Sequence, residues 1–159
     1  MSLILGIDPG KNGGIAWTDG ADFGAVRMPE GDDAIHNQIV DLLDGYDVVA
    51  FIEKLPYYVP MPMNSVPLVT QVSSTAKLHE NCGLLRGILV AAGATIHEVP
   101  PQVWQTPLDI GKKRGQPGSV WKNKLKAAAQ ERFPDMKVTL ANADALLILN
   151  YGLASLDKK

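Results

Sequence analysis

Residues 3–8 form a short apolar run, LILGID, that ends in Pro9-Gly10, the pattern of a buried strand entering a turn. Gly13 and Gly14 open a second run, Ile15 to Thr18; Asp19-Gly20 is a two-residue hairpin signal, and Phe23 to Met28 supplies the returning strand. An antiparallel meander is therefore predicted at the start of the chain. From Asp32 the period lengthens. Ile35, Ile39, Leu42 and Leu43 mark one face of an amphipathic helix closed by Gly45. Asp47 to Glu53 (DVVAFIE) is then a near-continuous apolar strand, and the strand–helix–strand order favours parallel pairing beside the first strand, with both sheet faces covered. Pro56, Pro60, Pro62 and Pro67, interspersed with Tyr57, Tyr58, Met61 and Met63, mark a loop. A long helix follows, carrying Leu78, Cys82, Leu85, Ile88, Leu89 and Ala92 on one stripe, with Gly93 near its end. Ala94 to Val99 is the next strand, stopped by Pro100-Pro101. Trp121, Leu125, Ala128, Ala129 and Phe133 space out another helix that Pro134 ends. The last helix, about Leu140 to Leu156, is apolar nearly all round and belongs against the sheet. The sum is one α/β domain over residues 1–159: a mixed five-stranded sheet of three antiparallel strands followed by a parallel β-α-β unit, with helices on both faces.

Composition narrows the setting. A chain of 159 residues can bury one core and is too short for two ordinary domains. Its one cysteine, Cys82, excludes an intrachain disulfide and a thiolate metal cage, and points to a reducing, cytoplasmic compartment. No stretch has the length and flanks of a secretory signal, and no apolar run approaches the ~18 residues that cross a bilayer, so no membrane partner is expected. The formal net charge of −2 argues against nucleic acid only as an average. Between Ile110 and Gln130 lie Lys112, Lys113, Arg114, Lys122, Lys124 and Lys126 and no acid, so this stretch carries +6 and the remainder −8. Such a run is either a solvated surface or an arm that contacts phosphates.

Three carboxylates stand among apolar neighbours. Asp8 ends the first strand, Glu53 ends the strand predicted beside it, and Asp144 interrupts the most apolar helix. Each alone has an ordinary reading: a turn tripeptide, a solvated strand end, a helix-dipole partner. Together they imply more. On parallel neighbours, Asp8 and Glu53 would project from the same sheet end about 5 Å apart, where uncompensated carboxylates repel or share a proton. A divalent metal resolves that conflict, and an oxygen-only cluster suits Mg²⁺ or Mn²⁺. His36, His79 and His97, with Cys82, fall into no metal-ligand spacing and read as structural or surface groups.

ILGIDPGKNGGIAW, AFIEKLPYY, CGLLRG, VPPQVWQ, GSVWK and ADALLILNYG, in this order from about Ile4 to Gly152, resemble the RuvC type of Holliday-junction resolvase, most closely its small phage-encoded members. The GIDPG piece alone is weakly specific, since actin-like and sugar-kinase ATPases open similarly; the ordered set is far more so. The resemblance implies a ribonuclease-H-like fold, a homodimer in bacterial or phage-infected host cytoplasm, and magnesium-dependent symmetric nicking of four-way (Holliday) or other branched DNA junctions. It implies two-metal hydrolysis with Mg²⁺, two ions per site, leaving a 5′-phosphate and a 3′-hydroxyl. Asp8, Glu53 and Asp144 match the family's metal-binding acids, and Lys122 a catalytic lysine near the scissile phosphate. Two positions depart: Ala141 stands where a fourth Asp or His ligand is usual, and Trp104 where a second lysine is usual. Asn142, next along the expected helix, faces elsewhere and does not replace the missing ligand.

With that partner in view, Lys112, Lys113, Arg114, Lys124 and Lys126 are candidate backbone contacts. Arg86, between Gly83 and Gly87, either contacts phosphate or forms a structural ion pair. Tyr57 and Tyr58 either stack on an unpaired base or pack the proline-rich loop. Three alternatives stay open: a phosphate-cradling ATPase, for which the chain is too short and no nucleotide cofactor is expected; a branched-DNA-binding protein without catalysis; and a nuclease of the same fold acting on other nucleic acid.

Overall fold

The computed structural model describes residues 2–57 and 67–158. Five strands form one sheet: β1 (Ser2–Asp8), β2 (Gly14–Thr18), β3 (Phe23–Arg27), β4 (Asp47–Glu53) and β5 (Thr95–Val99), in the order β3-β2-β1-β4-β5. The β1–β2 and β2–β3 pairs are antiparallel, whereas β1–β4 and β4–β5 are parallel, as the meander and the β-α-β pattern predict. Helices α1 (Asp32–Leu43) and α2 (Leu68–Ala91) cover one face; α3 (Pro101–Gln105), α4 (Gly118–Arg132) and α5 (Ala143–Leu156) belong to the other.

Alternation along the strands assigns each residue to a face. Leu3, Leu5 and Ile7 of β1, with Val48, Ala50 and Ile52 of β4, enter the core under α1 and α2. Ile4, Val49 and Phe51 enter the core under α4 and α5. By the same parity Asp8 and Glu53 fall on the α5 side.

Helix α5 lies directly on β1. A Cβ on Gly6 would strike the backbone of Ala145 and Leu149, and one on Gly152 would strike the Phe51 ring. Nothing larger than glycine fits at these crossings, so the helix rests on bare strand, and the approach at Ala145 carries the neighbouring Asp144 to β1.

Three expectations need correction. The β2–β3 connection spans four residues, because the Asp19 carboxylate accepts the N–H groups of Ala21 and Asp22, both at 2.9 Å, while Thr18 Oγ1 donates to the Asp22 carbonyl at 2.7 Å. Asp19-Gly20 is thus part of a longer Asx-stabilised loop. Pro100-Pro101 ends β5 but also starts α3, with Pro101 in the first helical turn where no N–H is missed. The final helix begins at Ala143, since the buried Asn142 turns its side chain back on the preceding loop. It accepts the Thr139 N–H at 2.7 Å and donates to the Lys137 carbonyl at 3.2 Å.

Candidate active site

The parallel register pairs Ile7 with Ile52, and one step further sets Asp8 opposite Glu53 at the carboxyl ends of β1 and β4. In an open α/β sheet this end is where ligands bind. Asp144, in the first turn of α5, faces both: its charge opposes ionisation of Asp8 and of Glu53. The three acids proposed from sequence therefore meet in one half-buried cluster.

Electrostatics strain the cluster. Burial, followed by repulsion from Asp144 and Glu53, holds the Asp8 carboxyl well above the usual carboxylate range, with Lys122 opposing. Burial pushes Glu53 up to about 7; the Trp104 hydrogen bond pulls it down, Asp144 pushes it up, and Lys113 pulls it down. Asp144 is raised by burial against the attraction of Lys122 and Lys113. No cation touches these acids, since the only ion pair among the described residues is Arg86–Glu98.

The turn after Asp8 is pinned from the opposite face. Asn81 of α2 accepts the Gly10 N–H at 2.7 Å, and Gly13 donates to the Gly10 carbonyl at 2.9 Å. The Gly10 amide, which a phosphate-cradling reading requires free, is thus already engaged. Gly10 itself has φ 101°, the left-handed region that favours glycine.

Among the basic residues, Lys122 on α4 and Lys113 in the loop before it act on the acids; Lys113 does so although its place in the sequence points only to phosphate contact. Lys112 and Arg114 are exposed beside Lys113, Lys124 is exposed on α4, and the half-buried Lys126 lies one turn beyond Lys122. Arg86 has its guanidinium engaged by Glu98, the ion-pair reading of the two left open. Tyr57 is 80% exposed and stacks on His79 at a centroid distance of 6.4 Å. With Arg86 it lines a separate cleft of about 270 Å³ on the α2 side. Tyr58 lies outside the described residues.

Ala141 is half-buried in the turn before α5, so its relation to Asp144 is not that of two residues on one helix. Asn142 is unavailable because of its loop bonds, not because of helical direction. The group that sequence reasoning misses is Trp104. Its indole Nε1–H donates to Glu53 Oε2 at 3.0 Å. The available signal is a tryptophan closely following a strand that pairs with the acid-bearing strand.

Half-buried oxygen donors that repel one another and lack a cation suit a hard divalent ion chemically. Among the described residues, no three His, Cys, Asp or Glu side chains converge closely enough to ligate one ion.

Sheet order, helices on both faces and carboxylates at the ends of two parallel strands define a ribonuclease-H-like α/β fold. The fold is that of RuvC. A structure of Thermus thermophilus RuvC in complex with Holliday junction substrate superposes with a TM-score of 0.65 at 14% identity, covering 99% of this chain and 96% of that one. A second Thermus thermophilus RuvC structure gives 0.62 at 16% identity, covering 98% and 96%. The resemblance expected from the motifs is thus matched in three dimensions across nearly the whole chain. No protein-family profile and no curated protein sequence matches.

Proposed function

We propose that this chain is a divalent-metal-dependent nuclease that nicks four-way or other branched DNA junctions. The observation that carries this reading is the meeting of Asp8, Glu53 and Asp144 beside Lys113 and Lys122, on a fold shared with a protein solved on a Holliday junction.

Asp8, Glu53 and Asp144 would hold the metal. When Mg²⁺ is bound, or Mn²⁺ in its place, the chemistry supplied is activation of a water and stabilisation of the leaving 3′ oxygen. Lys122 neutralises charge beside Asp8 and Asp144 and receives the scissile phosphate; Lys113 does the same beside Glu53. Lys112, Arg114, Lys124 and Lys126 extend this basic surface along the DNA backbone. Arg86, committed to Glu98, serves the fold. Nicking two strands of a junction symmetrically needs two sites, which a homodimer supplies. Exposed Val69 and Val90, with Gly83 and Gly87 open to close approach, support α2 as the surface for such pairing.

Four-way, fork and flap substrates incubated side by side with millimolar Mg²⁺ test the reading. Cleavage of a branched substrate is expected. Asp8→Asn and Glu53→Gln should each abolish it while leaving binding intact. Cleavage retained by either variant overturns the assignment of the acids. Ala141, and the lack among the described residues of three side chains close enough to ligate one ion, favour one other reading, a junction-binding protein without catalysis. Tight binding with no cleavage in Mg²⁺ or Mn²⁺ would decide for it.

A further inference from the structure

Trp104 is 1% exposed, packed in the core beneath α5, and its polar atom is committed to one oxygen of a candidate metal ligand. The placement follows from the chain path. Glu53 pairs with Val99, and the Lys54 N–H donates to the Val99 carbonyl at 2.9 Å, so β4 and β5 end together. Pro101 then starts a helix at once, and its first turn brings Trp104 to the end of β4. A buried ring has little freedom, whereas a glutamate at a strand end has three side-chain torsions to lose before it can act as a ligand.

We propose that Trp104 is a positioning residue for the metal site: its indole N–H holds Glu53 Oε2 and leaves Oε1 as the oxygen available to an ion. The role rests on the reading of Glu53 as a metal ligand. A buried indole N–H generally takes a hydrogen-bond partner, and here that partner is the carboxylate of a candidate metal ligand. Trp121, 4% exposed in the same core, has an Nε1 with no hydrogen-bond partner among the described residues. Groups that orient a ligand from behind typically change metal affinity or activity 10- to 100-fold when removed.

Trp104→Phe keeps an aromatic ring and deletes the donor. The expected result is Mn²⁺ affinity, followed by electron paramagnetic resonance, weakened about 10- to 100-fold, with junction binding in metal-free buffer unchanged. Cleavage should recover as Mg²⁺ is raised. Unaltered Mn²⁺ affinity overturns the proposal. A second measurement uses the unmodified protein and covers the case in which Trp104→Phe does not fold. In ¹H–¹⁵N spectra, Mg²⁺ should move the Trp104 indole resonance and leave that of Trp17 in place. A Trp104 resonance indifferent to Mg²⁺ overturns the proposal as well. Glu53→Gln separates the two levels. If it binds Mn²⁺ as tightly as the parent, the metal-ligand reading fails and the positioning role with it. If it loses Mn²⁺ while Trp104→Phe does not, only the positioning role fails.

Discussion

The two faces of the sheet are covered in different ways. Helix α5 buries Ala143, Ala145, Leu146, Leu147, Ile148, Leu149 and Gly152 and sits against strand glycine, with α4 packed beside it. Helix α2, at 24 residues, buries only Cys82, Leu85 and Leu89, and leaves Leu68, Val69, Val72 and Val90 exposed. The tightly packed face holds all three acids and is adjoined by the basic stretch; the looser face holds the Asn81 anchor, the Arg86–Glu98 pair and the surface proposed for a second copy. The apolar side chains fully buried around the acids each contribute roughly 1.5–3 kcal/mol to the fold, and the same burial is the largest cause of the raised carboxyls. Site strain and dense packing therefore coincide for an energetic reason.

The sharpest way to break this contrast is one substitution made on both faces. Gly6→Ala should cost about 3 kcal/mol or prevent folding, because the added methyl meets helix backbone that has nowhere to move. Among the described residues Gly83→Ala and Gly87→Ala meet nothing within 4 Å, and each should stabilise α2 by up to about 1 kcal/mol. Urea denaturation of the three variants reads both signs; a shared sign would mean that the faces do not differ as described.

The electrostatic strain makes the next prediction. Glu53 is raised from 4.5 to about 7 in the folded protein. Between these values the folded state holds a proton that the unfolded state has released, so metal-free stability should fall as pH rises through this window. The loss amounts to ~3 kcal/mol at most for Glu53 alone. Asp8 and Asp144, also raised, add in the same direction. Thermal melts from pH 4 to 8 should show the decline. Mg²⁺ should raise the melting temperature more at pH 8 than at pH 5, and Asp144→Asn should flatten the profile while abolishing cleavage. A stability that rises across this window would contradict the carboxylate cluster.

The smallest effect concerns DNA. Lys124→Gln on α4 should lower the salt slope of junction binding by about one unit, uniformly across sequences. Lys77→Gln, on α2, should leave the slope unchanged. Equal effects would remove the distinction between a DNA-facing side and its opposite.

Strand parity is legible in the order of residues alone. The alternation of Leu3, Leu5 and Ile7 against Ile4, and of Val48, Ala50 and Ile52 against Val49 and Phe51, places Asp8 and Glu53 on one face once the strands pair in parallel. The near-total apolarity of α5 likewise announces a buried helix and makes Asp144 conspicuous. Trp104 reads from sequence only as a missing lysine, because α3 is five residues long and too short to show a period. Lys113 stands in a uniform basic run, in which nothing local distinguishes the residue that reaches the acids from its neighbours.

Residue periodicity by itself determined the five strands and the four longer helices, their order, their buried faces and the three acids, because these depend on spacing along one segment. Only the tertiary structure decided that Trp104 holds Glu53, that Asn81 pins the turn after Asp8, that Arg86 is paired and that Asn142 belongs to a loop. Most of these contacts bridge residues far apart in the chain, and the Asn142 bonds depend on how a turn closes before α5. Hydrogen bonds require donor and acceptor to lie within about 3 Å, a condition that the packing of α2, α3 and α5 around the sheet sets and that linear spacing does not encode.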